Sequence, residues 1–191
     1  LSRKWVAAVA VGALMVAGQA LAADKKVVAV SIPAADHGWT AGVVYHAQAA
    51  AKEINAAFPN VEVVVKTSPS AADQVSALED LSASRKLDAL VILPYTSEEL
   101  TQPVKAIKDI GTFITVVDRG LTDASIQDLY LAGDNIAVGA NTAKFMIDKL
   151  GGKGDIVVLR GIPTVIDDER IKGFQDTIKG TGIKVLDIQY A

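Results

Sequence analysis

Phe113-Ile114-Thr115-Val116-Val117-Asp118-Arg119-Gly120 reads as a strand that is apolar on both faces and then stops on a charged pair. β-Branched and aromatic residues from Phe113 to Val117 fit a strand covered by helices on both sides, the situation of a parallel sheet. Asp118 and Arg119 then stand at the carboxyl end of that strand, which is where open α/β sheets bind ligands. A carboxylate and a guanidinium there offer acceptors and a fork of donors to a polar molecule. The same two residues also fit an ordinary strand-to-loop turn in which they pair with each other.

Working outward, short apolar runs recur at 27–32, 61–65, 89–93, 129–132, 155–159 and 183–188, with amphipathic stretches between most of them. Helices are predicted from Trp39 to Phe58, from Ala71 to Lys86, after Ser97 and from Ile136 to Leu150, with one more opening on Asp167, Asp168, Glu169 and Arg170. Ser70 with Asp73 three residues on suits a helix start, and Val75, Leu78 and Leu81 share one face. Pro103 is expected to kink or restart its helix. Strand-helix alternation of this kind implies an α/β fold with doubly wound parallel sheets. The polar loop after Gly120 leads to 129–132 without a helix, so that strand need not join the same sheet, and a chain crossing from one lobe to another would look like this. The expected organisation is a leader at 1–22, an N-terminal lobe at 23–132, a hinge, and a partial C-terminal lobe at 133–191. A third strand-helix unit is expected after Ala191, so the chain reads as part of a longer protein.

The leader is argued from Arg3 and Lys4, the apolar stretch Trp5 to Ala17, and Ala20-Leu21-Ala22, which has small residues where a signal peptidase cuts. Cleavage is expected after Ala22. The apolar stretch is shorter than the roughly 20 residues a membrane-spanning helix needs, so the mature protein is expected not to span a membrane. Removing Arg3 and Lys4 leaves 17 basic residues (19 − 2) against 22 acidic ones, a charge of −5. That balance, without a basic run, argues against nucleic acid. Cysteine is absent, which excludes disulfides and thiolate metal sites and fits a periplasm-like compartment. His37 and His46 lack the spacing of a helical metal pair, so neither metal nor cofactor is expected.

The loop after the first strand runs Pro33-Ala34-Ala35-Asp36-His37-Gly38-Trp39-Thr40-Ala41-Gly42. Trp39 near a helix start suits a core or staple position. Flanked by Asp36 and His37 it equally suits stacking on the apolar face of a sugar ring while its neighbours bond hydroxyls. Arg170 lies in the first turn of a helix, where the dipole disfavours a cation, so it either pairs with Asp167 or meets a ligand.

Together the leader, the Asp-His-Gly-Trp loop, LDALVILP (87–94), FITVVDRG (113–120), AGDN (132–135) and ERIKGFQ (169–175) resemble the periplasmic sugar-binding proteins of the ribose-binding type, with the type I fold. The resemblance implies that Asp118 and Arg119 bind sugar hydroxyls, and that Arg170, ahead of Gly173-Phe174, reaches the sugar from the other lobe. His37, Trp39 and Thr40 take the places of an Asn and two aromatics in the family's first loop, beside Asp36. It also implies a monomer that captures a monosaccharide or polyol and delivers it to an ABC permease without chemistry on the ligand. A dinucleotide enzyme is not supported, because the first loop lacks G-x-G-x-x-G and Gly151-Gly152-Lys153-Gly154 precedes a strand. A repressor of the same fold would carry a DNA-binding motif where the leader stands, and no nucleophile elbow suits a hydrolase. A sugar sensor shares every feature above and stays open.

Overall fold

The structure, a computed structural model, describes residues 24–35 and 37–190. The leader and Asp36 lie outside that range. Five parallel strands form the first sheet in the order β2-β1-β3-β4-β5: β1 (Lys26–Pro33), β2 (Val61–Ser68), β3 (Ala89–Ile92), β4 (Phe113–Val117) and β5 (Leu129–Leu131). Three helices connect them: α1 (Gly38–Ala57), α2 (Ala71–Ser84) and α3 (Ser97–Asp109). The second unit holds α4 (Asn135–Lys149), β6 (Lys153–Arg160), α5 (Val165–Ile178) and β7 (Gly182–Tyr190), with β6 and β7 paired in parallel.

One face of the first sheet is buried at its centre and partly buried at Val27, Val64 and Tyr130. Ala29, Leu90, Ile92, Ile114 and Val116 meet Leu78 and Leu81 from α2 and Leu100, Val104 and Ile107 from α3. Each of the Leu, Ile and Val side chains among them, taken wholly out of water, contributes about 1.5–3 kcal/mol. The other face is covered less completely than the apolar run in β4 predicts. There α1 packs over β1 and β2, so Thr115 and Val117 stay half-buried and Phe113 is exposed. A mostly apolar hollow of about 560 Å³ remains beside α1, walled by Val30, Val43, Val91, Leu93 and Val117.

Three further expectations meet the structure. The 129–132 strand does belong to the first sheet, as β5, parallel to β4 with Val117 opposite Leu131. Its crossover needs no α-helix because Leu121 and a short 3-10 turn carrying Ile126 plug the core instead. α3 runs unbroken through Pro103, since buried Leu100, Val104 and Ile107 pin both of its halves to the sheet. Ser70 caps α2 as expected, accepting from the Asp73 N–H at 3.1 Å.

Two aspartates set the register at the amino end of the sheet by the same device. Asp88 takes the Val27 N–H on its carboxylate (2.9 Å) and donates its own N–H to the Val27 carbonyl (2.9 Å). Asp128 does this with Ile114, at 2.8 and 2.9 Å. The Val27 amide, then Lys26, holds the Asp88 carboxyl below its ordinary pKa, and the Ile114 amide, then Lys108, does so for Asp128.

Candidate functional site

Strand order reverses between β1 and β3, so the loops that leave their carboxyl ends diverge and open a crevice there. His37 enters it from the loop after β1, Trp39 from the first turn of α1, and Asp118 and Arg119 from the end of β4. Ile166 and Arg170 face them from the first turns of α5. These six line a cleft of about 320 Å³, at the small end of the roughly 300–1,000 Å³ usual for small-molecule sites.

Asp118 and Arg119 are not paired with each other. Arg119, only 9% exposed, donates through Nη1 to the Tyr95 carbonyl at 2.8 Å, with the Pro94 carbonyl at 3.5 Å. The segment that carries those carbonyls is held in turn by Gln74, which is fully buried in α2. Its amide nitrogen donates to the Leu93 carbonyl (3.0 Å) and Ser31 Oγ (3.1 Å), while its oxygen accepts from the Tyr95 N–H (2.7 Å). The guanidinium is thus anchored on one edge by neutral acceptors, and its charge is left for the cleft.

Asp118 has φ +60°, a left-handed backbone that Asp tolerates better than most residues. The Leu131 carbonyl accepts its N–H at 2.7 Å, and the Tyr130 hydroxyl donates to its carbonyl at 2.7 Å. Burial first, then the Glu169 and Asp118 carboxylates, raises the Tyr130 phenol above its ordinary pKa, so it remains a donor. The Asp118 carboxylate has no hydrogen-bond partner among the described residues and lies half-buried at the cleft.

Arg170 does not pair with Asp167. Arg160, at the end of β6, takes that carboxylate at 2.6 Å and Asp168 as well, which ties the loop before α5 to its first turn. Arg170 instead donates through Nε to Asn135 Oδ1 at 2.9 Å. α5 itself is set by Thr164, whose hydroxyl accepts from the Asp167 N–H, and by Ser97 of α3, whose Oγ accepts the Val165 N–H at 3.0 Å. That last bond joins the two halves of the chain across the cleft rim.

Trp39 is 50% exposed, so it is not a core residue, and it borders both the cleft and the apolar hollow. Thr40 is buried. Its hydroxyl accepts the His37 N–H (3.2 Å) and donates to the His37 carbonyl (2.9 Å), and it is not among the cleft walls. Among the described residues no group of three or more acidic or histidine side chains could hold a metal ion, and no helix is long and apolar enough to cross a membrane.

Residues 28–191 match the family described as the periplasmic binding protein domain. The chain belongs to that family. The ribose import binding protein of Bacillus subtilis is 30% identical over 115 residues, covering 60% of this chain and 37% of that protein. Among solved structures, the Caulobacter myo-inositol binding protein superposes with a TM-score of 0.74 at 20% identity, over 88% of this chain and 56% of the other. The fructose binding periplasmic domain of a hybrid two-component system does so with 0.73 at 21%, over 87% and 54%. Both structures share the fold, and the chain spans less than two thirds of the length of each of these proteins.

Sequence reasoning missed several residues that build the site of this periplasmic binding domain. Gln74 looked like an ordinary polar residue on an amphipathic helix. Its only signal was that position 74 falls on the buried face beside Leu78 and Leu81. Tyr130 and Asn135 flank the chain crossing, and Asn135 stood inside the AGDN motif without a role.

Proposed function

We infer that this chain is the ligand-capturing part of an exported solute-binding protein, which takes a monosaccharide or related polyol between two lobes and delivers it to an ABC permease. The carrying observation is the meeting of Asp118 and Arg119, from the end of β4, with Arg170 of α5 around a cleft bordered by exposed Trp39. A carboxylate and two anchored guanidinium forks suit vicinal hydroxyls, and the indole suits the apolar face of a ring. His37 completes the wall, Asp36 precedes it in sequence, and Thr40 shapes the helix start that presents Trp39. No bond of the ligand is made or broken in this reading, and no cofactor takes part. The relatives' substrates, ribose and myo-inositol among them, are of the same chemical class.

The lobes correspond to residues 23–132 and 133–191, and the ligand favours the closed arrangement because it touches both. Residues 1–22 direct export and are removed, giving a periplasmic monomer that begins at Ala23. N-terminal sequencing of periplasmic material checks this, and a start upstream of Gln19 would favour an anchor.

The test is calorimetric titration of the full-length mature protein against D-ribose, D-xylose, D-allose, D-fructose, xylitol and myo-inositol. Binding of one or more, with a raised melting temperature, is expected. Failure of every sugar and polyol sinks the proposal. A second reading, ligand capture for signalling, is favoured by the fold shared with the periplasmic domain of a hybrid two-component system. Stimulation of a co-encoded permease ATPase by the loaded protein supports transport; activation of a co-encoded sensor kinase supports signalling.

A further inference from the structure

We propose that Asn135 is a positioning residue for the ligand, acting through Arg170; this rests on Arg170 being a ligand contact. Asn135 is the first residue of α4 and only 4% exposed. Helix capping is done by Asp134, whose carboxylate accepts the Ala137 N–H at 2.9 Å, so the Asn135 amide is not spent on its own helix. Its nitrogen donates to the Gly133 carbonyl at 3.1 Å, which fixes the orientation of the amide, and its oxygen accepts Nε–H of Arg170 at 2.9 Å.

An arginine has five N–H donors. Using Nε on Asn135 orients the guanidinium plane and leaves the donors on both terminal nitrogens for the cleft. The acceptor is a neutral amide, and among the described residues Arg170 has no carboxylate partner because Arg160 occupies Asp167. The fork is therefore steered without being neutralised. A carboxylate in place of Asn135 would steer it equally well but would compete with ligand oxygens for its charge. The other end of the Asn135 amide rests on Gly133, in the stretch by which the chain leaves β5 for α4. Asn135 thus ties the arginine to the crossing between the two sheets as well as to the helix it starts.

The experiment is a double-mutant cycle in the full-length protein, read by calorimetric titration with whichever of the six sugars and polyols above the parent binds most tightly. Asn135→Leu keeps the branched outline and removes the acceptor, and affinity should fall about tenfold in the parent. In an Arg170→Ala background the same change should have no further effect. Asn135→Ser suits a helix start and is too short to reach Nε, so it replaces the leucine variant if melting curves show that variant unfolded. An affinity loss as large in the Arg170→Ala background as in the parent, or no loss in the parent, would overturn the proposal. Arg170→Ala binding as tightly as the parent would instead remove Arg170 from the site, and with it the reading beneath.

Discussion

Gly139 and Gly173 let α4 and α5 cross backbone to backbone: a Cβ on Gly139 would lie 1.9 Å from the Arg170 carbonyl oxygen, and one on Gly173 would lie 2.1 Å from that of Ile136. The approach involves main chain on both sides, so no side-chain rotation can relieve an added methyl. Gly139→Ala and Gly173→Ala should each destabilise the protein by about 1–3 kcal/mol or more and weaken sugar binding, since the crossing sets the spacing between Asn135 and Arg170. Gly42→Ala in α1 is the control. It meets nothing within 4 Å, and replacing a mid-helix glycine should raise stability by about 0.5–1 kcal/mol. Equal melting temperatures for Gly173→Ala and the parent would show that the helices slide apart freely.

Arg119→Ala should cost far more in affinity than in folding. Hydrogen bonds to a charged group contribute about 1.5–3 kcal/mol each, so losing one or two to sugar hydroxyls corresponds to roughly tenfold to several hundredfold weaker binding. The groups it abandons inside the protein are the carbonyls of Pro94 and Tyr95, in a segment that Gln74 continues to position through the Leu93 carbonyl and the Tyr95 N–H. Unchanged affinity with a lowered melting temperature would make Arg119 a structural brace only.

Ser97→Ala removes the acceptor of the Val165 N–H, a bond between α3 and α5 and so between the two halves. If the halves part when the cleft is empty, this bond exists only in the closed arrangement. Affinity should then drop by about twofold to tenfold while the melting temperature of the sugar-free protein barely moves. Small-angle scattering with and without sugar reads the closure, and an unaltered titration curve would count against the bond having that role.

Acid should loosen the amino end of the first sheet before neutral pH touches it. Asp88 and Asp128 have folded pKa values lowered from 3.8 by the Val27 and Ile114 amides and by neighbouring lysines. Their stabilisation is complete above the unfolded value and is lost as pH falls below it through the lower folded values. Urea midpoints should therefore be level from about pH 7 to 5 and decline below about pH 4. Asp88→Asn and Asp128→Asn should flatten that decline, and an unchanged slope in the double variant would assign the acid sensitivity elsewhere.

The fold was legible because the strands carry it in local composition. Phe113 to Val117 is a strand by residue type alone, and each of the other predicted strands lies within about three residues of its observed ends. The cleft walls were legible where they stand at the end of a strand or near the start of a helix, as with Asp118 and Arg119 after β4 and Arg170 in the second turn of α5. What stayed hidden depends on partners distant in sequence. Nothing near Arg119 foretells that its fork rests on carbonyls 24 and 25 residues away, or that Gln74 positions the segment carrying them. Trp39 sits at a helix start whether buried or exposed, and only the uncovered side of β3 and β4 decides the matter. Pro103 does not restart the helix, because the burial of Leu100, Val104 and Ile107 holds both sides of it to the sheet.

The left-handed backbone at Asp118 limits how this cleft can be retuned. A β-branched or bulky residue at that position would have to rebuild the turn that the Leu131 carbonyl and the Tyr130 hydroxyl hold, so it would lose the wall along with the carboxylate. Asn and Gly are the replacements the backbone accepts, the first exchanging an acceptor for a donor and the second erasing the contact. Mutational reshaping of this cleft wall therefore has two usable letters at residue 118. The broader alphabet lies across the cleft, at Ile166 and the helical positions around it, where the backbone imposes no such restriction.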